Sequence, residues 1–293
     1  MKLTKSFDSR PKLRLDLSVV ATALGGVLLM ASPATAGVIS FVDMFRAGFA
    51  TQIGDGNSLS SAAFRMDTRL NSVGVDDFSL VELSINGGAA ITLAQTGPTV
   101  YTFVSPTFAS QTDMDTAFPF GTYAYTATGT PSDATSFDFL SSFYPSQPFL
   151  AGSDFSALQG MNPAAPFTFH FSPFAVDGGV TEQFIFFSIF DLVASTTVYS
   201  DGFLPRTTTE ITIPAGTLLP EQPYLFSLTY SNRLFTPSPG AEFSAVLGFD
   251  LSVGGRFETG LAQVPEPGSL VLLTSGAGWA LMRRLRRGRS RAA

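Results

Sequence analysis

The clearest pattern in the chain is an alternation of apolar and polar residues between positions 166 and 258. Phe167, Phe169 and Phe171 alternate with Thr168, His170 and Ser172. Period two is typical of a β-strand, because successive side chains point to opposite faces of a sheet. Further strands are predicted at 183–190, 196–200, 207–213, 223–231 and 242–253. The nearly continuous apolar run 183–190 predicts a central strand covered on both faces, and the more polar 207–213 an edge strand.

A second set of alternating segments precedes this region. Strands are predicted at 78–85, 91–93, 101–104 and 123–128, in an order that the sequence does not determine. Residues 131–165 are rich in proline and serine but also carry Phe143, Tyr144 and Phe155, so they predict a linker that packs against its neighbours. We therefore expect an all-β protein with two sandwich-like units, at 37–130 and 166–258, joined by the packed linker 131–165.

The N-terminus has the pattern of a secretory signal peptide. Basic residues precede an apolar run at 17–30, among them Lys2, Lys5, Lys12 and Arg14. The small residues Ala34 and Ala36 then precede Gly37, which is the pattern that signal peptidase cleaves. We expect a signal helix within 1–36, removed after Ala36, and export through the general secretory route, since no Arg-Arg pair precedes the apolar run.

The C-terminus contains three consecutive segments of different character. Val264, Pro265, Glu266 and Pro267 are followed by an apolar segment at 270–282. The basic tail then includes Arg283, Arg284, Arg286 and Arg287. As a helix the apolar segment would span about 20 Å, short of the about 30 Å of a bilayer core. Positive charge beside a membrane segment stays cytoplasmic, so the body of the chain is expected outside.

This C-terminal arrangement resembles the PEP-CTERM sorting signal of Gram-negative bacteria, over residues 264–291. The resemblance implies that exosortase acts at or near 264–268, after a transient attachment of the C-terminal helix to the inner membrane. It also implies delivery to the cell surface or to an extracellular polysaccharide matrix. A plain single-span C-terminal anchor is the alternative, and both interpretations place the body outside the cytoplasm.

The net charge of the body limits the classes of partner that it can bind. Between residues 37 and 265 the chain has 6 arginines, no lysine and 20 acidic residues, a net charge of −14. Nucleic acid is therefore not an expected partner, because phosphate contacts require positive charge. The chain has no cysteine, so its stability in an oxidising compartment must come from a buried core instead of disulfides.

One turn in the second unit carries another resemblance. Leu218, Pro220 and Tyr224 have the Leu-x-Pro-x-x-x-Tyr spacing of a fibronectin type III domain. The resemblance implies a sandwich corner at which the Tyr224 hydroxyl bonds to upstream backbone. The tryptophan common in such domains is missing from the body, since Trp279 is the only tryptophan.

Residues that carry chemistry are few. His170 is the only histidine and lies within a predicted strand, so a structural or surface histidine is favoured over a general base or metal ligand. Acidic residues cluster at Asp55, at Asp76-Asp77 and at Asp113-x-Asp115, without a calcium-loop pattern. Solvated loops are the simpler interpretation and a weak calcium site the alternative. We expect no enzyme activity, cofactor or metal.

The functional expectation is a secreted protein, processed by signal peptidase and exosortase, with a structural or adhesive role in the envelope or biofilm matrix. Exopolysaccharide and further copies of the chain are the candidate partners. The alternative is a surface module that binds glycans, or less plausibly hydrolyses them, since aromatic rings stack on sugars and paired carboxylates can cleave them.

Overall fold

A computed structural model describes residues 39–60, 62–175, 179–236 and 245–261. The regular structure of the described chain is mostly β-strand, as its alternation predicted. Its strands and helices are β1 (Ile39–Thr51), β2 (Ala63–Ser72), β3 (Phe78–Ile85), β4 (Ile91–Gly97), β5 (Val100–Val104), α1 (Gln111–Ala117), β6 (Gly121–Gly129), β7 (Asp133–Phe139), α2 (Asp154–Leu158), β8 (Phe167–His170), β9 (Glu182–Asp191), β10 (Thr196–Pro205), β11 (Glu210–Ile213), β12 (Pro223–Thr236) and β13 (Ala245–Glu258).

Eleven of these strands form one hydrogen-bonded sheet. Its order is β10-β9-β12-β13-β1-β2-β5-β4-β3-β6-β7, and β8 and β11 form a separate two-stranded sheet. The first strand, β1, lies between β13 and β2, parallel to β13 and antiparallel to β2. Apart from β8 and β11, the strands of the two predicted units therefore belong to one continuous sheet, joined through the β1–β13 pair.

The N-terminal part of this sheet curls over itself. The Tyr125 hydroxyl on β6 lies 2.6 Å from Thr68 Oγ1 on β2, although three strands separate β6 from β2 in the sheet order. A first core fills the space between the facing parts of the sheet. Its buried side chains include Met44, Met66 and Leu83. The curl thus produces a sandwich-like layer arrangement from a single sheet.

The C-terminal part forms its sandwich in another way. The small sheet of β8 and β11 packs on β9, β12 and β13, and the layers enclose a second core that includes Phe169, Ile211, Phe187 and Phe226. Strand β13 contributes to both cores, because Leu247 lies in the first and Val253 in the second. The sequence interpretation assigned this strand to the second unit alone.

Strand β9 differs from its prediction. Ile185, Phe187 and Ile189 are fully buried, but Phe184 and Phe186 on the opposite face are only half-buried. They pack instead against Phe203 of β10, with ring centroids 5.4 and 5.0 Å away. The expectation of cover on both faces was wrong, because aromatic rings on the outer face shield one another without a further layer.

Three strands were not predicted, namely β1, β2 and β7. Strand β2 does alternate, with Met66 and Leu70 facing the core and Arg65 and Asp67 facing outward, so its signal was present. Strand β1 lacks a simple alternation because its inner face includes Arg46 and its outer face includes Phe45. Strand β7 lies inside the segment 131–165 that was interpreted as a linker.

Candidate functional site

The predicted processing residues fall outside the described chain. Ala34, Ala36 and Gly37 precede it, and the sorting motif and basic tail follow it: Val264, Pro265, Glu266, Pro267, Arg283, Arg284, Arg286 and Arg287. The signal helix and the hydrophobic C-terminal helix therefore stay predictions. Across the described part of the chain, no helix has the length and apolarity needed to cross a membrane.

The predicted corner is formed by Tyr224 at the start of β12. The Leu219 amide donates a hydrogen bond of 2.8 Å to the Tyr224 hydroxyl. Tyr224 and Leu218 are buried, whereas Pro220 is exposed. Burial raises the pKa of Tyr224, and the bond from the Leu219 amide opposes that rise. The Tyr224 hydroxyl therefore stays neutral and accepts this hydrogen bond from the backbone at one end of the second core.

The richest group of charges lies on the outer face of the central strands. We call it the polar face and define it as Asp43, Phe45, Arg65, Asp67, Arg69, Arg233 and Asp250. These residues point away from the first core, because their neighbours Met44, Met66 and Phe249 point into it. Asp67, Phe45, Gly248 and Arg233 are successive register partners across four strands.

Each arginine of the polar face is paired with an aspartate. Arg69 Nε donates to Asp43 Oδ2 at 2.8 Å, and Arg233 Nη1 lies 2.6 Å from Asp250 Oδ1. Arg65 Nε lies 2.8 Å from Asp67 Oδ2. The Arg233 guanidinium also sits 4.5 Å from the ring centroid of Phe45. Most of the charge is therefore neutralised within the sheet face itself.

Burial changes the acidity of two of these aspartates. Loss of solvation raises the pKa of Asp43 to about 6, although the nearby charges of Arg69 and Arg233 oppose the rise. Loss of solvation also raises the pKa of Asp67, and Arg65 opposes that rise. Asp43 therefore titrates in the mildly acidic range, whereas an exposed aspartate titrates at lower pH.

The inner face of β1 holds a fully buried arginine. Arg46 has no exposed surface, and its Nη1 lies 2.6 Å from Asp115 Oδ1 of α1. Its Nη2 donates to the Tyr123 hydroxyl at 2.7 Å and to the Phe118 carbonyl. The guanidinium lies over the ring of Phe120, 4.2 Å from its centroid. A buried charge with this many partners is compensated locally.

The acidic clusters that suggested calcium have structural contacts. Asp55 accepts hydrogen bonds from the Ser156 amide and hydroxyl, at 2.8 and 2.7 Å. Asp77 accepts from the Gly74 amide at 2.6 Å. Within 39–60, 62–175, 179–236 and 245–261, no three His, Cys, Asp or Glu side chains come together as ligands for a metal. These carboxylates accept hydrogen bonds from a helix and a turn.

His170 lies at the end of β8, exposed over half of its side chain. Its Nδ1 is 3.0 Å from Asp154 Oδ2, and its Nε2 is 3.5 Å from Glu210 Oε2. Asp154 also accepts from the His170 amide. The imidazole therefore links α2 to the two-stranded sheet.

Sequence reasoning missed the groups that the structure brings together. Arg46, Asp43, Arg233 and Asp250 were not singled out. A signal did exist, since the body has only 6 arginines and β2 alternates Arg65, Asp67 and Arg69 along one face. Asp115 follows Arg46 by 69 residues, and Arg233 of β12 contacts Phe45 of β1, so these contacts could not be read locally.

No protein-family model matches the chain, and no curated protein matches it. Among solved structures, a biofilm-associated protein BSP domain is 12% identical with a TM-score of 0.20, covering 74% of this chain and 29% of that one. The chicken CNTN1 FN1–FN3 domains are 11% identical with a TM-score of 0.21, covering 69% and 64%. Trypsin-activated alpha-2-macroglobulin from Escherichia coli is 11% identical with a TM-score of 0.20, covering 74% and 16%. The chain spans less than two thirds of each, and likenesses this distant carry no argument about function.

Proposed function

We propose that this is a secreted, non-enzymatic β-sandwich protein that exosortase sorts to the envelope or extracellular matrix, where it has a structural or adhesive role. The observation that carries the proposal is the C-terminal sequence, in which Pro265-Glu266-Pro267, an apolar segment and an arginine-rich tail follow one another. The signal-peptide pattern at the other end supports the same destination. The bacterial surface or its polysaccharide is then the setting in which the body acts.

The position of the folded body supports this proposal. Strand β1 begins at Ile39, two residues after the expected cleavage site, and β13 ends at Glu258, shortly before Val264. The sheet therefore occupies nearly the whole interval between the two processing sites. Cleavage at both sites would leave intact all thirteen strands of the described residues, as release of a folded surface protein requires.

The mass of the protein in its native host tests the proposal. We expect a soluble product that begins at Gly37 and ends near Pro267, and we expect a Glu266→Ala variant to lose it. Glu258→Ala is the matched control, because Glu258 is an exposed acid on the end of β13 outside the motif. A membrane-bound product that retains Arg291 in all three proteins would show a simple anchor and would overturn sorting by exosortase.

One feature favours glycan binding as a second candidate. The Phe49 ring on β1 is 40% exposed, and the Arg65 guanidinium lies 5.0 Å from its centroid, beside Asp67. An exposed ring next to fixed charged groups offers both the stacking surface and the hydrogen bonds that sugars use. Binding to neutral bacterial polysaccharides on a glycan array should be lost in Phe49→Ala. It should persist in Val104→Ala, which removes an exposed apolar side chain from a nearby strand. An array without binding by the unaltered protein would exclude this candidate.

A further inference from the structure

The first and last strands of the body are direct neighbours. Ten residues of β1, from Val42 to Thr51, pair in parallel with Ala245 to Gly254 of β13. The ladder continues beyond β1, because the Gln52 amide donates to the Gly254 carbonyl at 2.8 Å. Since the strands are parallel, the chain enters β1 at one end of the pair and leaves β13 at the other end. Tension between the two ends of the body would therefore pull the strands along their common axis in opposite directions.

Two glycines fix the register of the β1–β13 pair, because each leaves space for a large side chain of the opposite strand. Gly48 lies beside Leu251, and a Cβ added at Gly48 would lie 2.5 Å from Leu251 Cδ2, so the leucine side chain occupies the space above the glycine. On the opposite face, Phe45 lies beside Gly248, and the phenylalanine ring occupies the space above that glycine. Each strand thus places a large side chain over a glycine of its partner.

The two interlocks oppose sliding. A slip of two residues, the smallest that keeps each side chain on its face, would place Phe45 beside Val246 or Asp250. It would place Leu251 beside Arg46 or Ala50. All four of these residues carry side chains where the glycines carry none, so the displaced groups would collide.

Two arginines make further contacts that connect β1 to β13 and to the first core. Arg233 of β12 reaches over Gly248 to the ring of Phe45 on β1, while its guanidinium pairs with Asp250 of β13. On the inner face, Arg46 of β1 binds Asp115 and Tyr123, which belong to other elements of the first core. Movement of β1 along β13 would break these contacts together with the backbone ladder.

We infer that the β1–β13 pair is a mechanical clamp, which resists force applied along the body between its N- and C-terminal ends. The biological use of the clamp rests on the proposed surface function, because an adhesive protein that is held in the matrix at both ends of its body receives force through β1 and β13. The clamp is itself a property of the fold. When force acts along parallel strands, the whole ladder must yield together, whereas force across the strands opens one bond after another.

Single-molecule pulling in two directions tests the clamp. The chain has no cysteine, so paired cysteines can attach handles at chosen positions of the full chain in detergent. Ser40→Cys with Glu258→Cys loads the strands along their axis. Ile53→Cys with Glu258→Cys loads the same pair across its axis, since Ile53 lies at the end of β1 nearest to Glu258. All three positions are exposed, so the handles leave the cores unchanged.

We expect the axial direction to require a rupture force at least about twice that of the transverse direction, because forced unfolding reports the barrier on the loaded path. Gly48→Ala should lower the axial force and leave the transverse force nearly unchanged. Gly97→Ala is the control, because its added Cβ would meet Val100 at an ordinary 3.6 Å. Equal forces in the two directions would overturn the inference.

The pulling experiment still tests the clamp if a variant does not fold or if the proposed function is wrong. If Gly48→Ala does not fold, the comparison of the two directions in the protein with glycine at that position still decides the question. Failure of the proposed function would appear in the mass of the processed product and not in the pulling forces. A clamp in a protein that exosortase does not cleave would leave this inference standing and the sorting proposal refuted.

Discussion

The two cores of this protein accommodate buried polar groups in different ways. The first core encloses the Arg46 guanidinium, which has no exposed surface and depends on Asp115, Tyr123 and aromatic rings for compensation. The second core encloses neutral hydroxyls, such as that of Tyr224, which accepts a hydrogen bond from backbone. A buried charge and a buried hydroxyl both need partners, but the penalty for losing those partners is several times larger for the charge. The first core should therefore be the more sensitive to single substitutions.

The largest effect is expected from Arg46→Met, which should lower the free energy of unfolding by roughly 3 to 5 kcal/mol because it removes the cation paired with Asp115 and the donor to the Tyr123 hydroxyl and the Phe118 carbonyl. Urea denaturation of the purified protein measures this loss. Arg65→Met is the matched control on the neighbouring strand, where the arginine is 38% exposed and its removal should cost less than about 1 kcal/mol. Equal losses in the two variants would show that Arg46 is not a special feature of the first core.

A pH-dependent effect is expected at Asp43, on the other side of the same strand. Its folded pKa is about 6, whereas an unfolded aspartate titrates at about 3.9. Between these two pH values the folded protein holds a proton on Asp43 that the unfolded chain has released. The contribution of this proton to the free energy of unfolding is fully present below about pH 4 and is lost as pH rises through 6. The loss is at most about 3 kcal/mol, since one pKa unit corresponds to about 1.4 kcal/mol.

Urea denaturation between pH 4 and pH 7 measures this slope. In the Asp43→Asn variant, stability should decline less between pH 4 and pH 7. A smaller decline should remain, because burial also raises the pKa of Asp67. Asp138→Asn is the control, because Asp138 is an exposed aspartate on β7. An unchanged slope in Asp43→Asn would contradict the assignment of the proton to Asp43.

The smallest effect is expected in the second core. Tyr224→Phe removes one hydrogen bond to the Leu219 amide and should cost about 1 kcal/mol. Tyr199→Phe is the comparison, because the Tyr199 hydroxyl has only a 3.4 Å contact with Asp201 near the surface and should cost almost nothing. Thermal denaturation of both variants measures the difference. A Tyr224→Phe loss as large as that of Arg46→Met would remove the contrast between the two cores.

Some elements of the fold were predictable from local pattern. Strands β8, β11 and β12 were predicted because Phe, Ile and Tyr recur at every second position, which is the period that a strand produces, and β9 because its apolar run is nearly continuous. The spacing of Leu218, Pro220 and Tyr224 predicted a corner because a turn and its tyrosine lie within a few residues of each other. Strand β1 escaped prediction because Arg46 interrupts its apolar face, and only partners from α1 and β6 make that position favourable.

The sequence by itself determined the all-β class, the positions of most strands and the corner, and it carries the terminal patterns on which the sorting proposal rests. The tertiary structure alone decided that β1 pairs with β13, that both cores share one sheet, and that Arg46 and Arg233 meet their aspartates. The physical reason is the range of the interactions. Strand period and turn spacing depend on neighbouring residues, whereas register, charge pairing and shared cores depend on contacts between separate strands and helices.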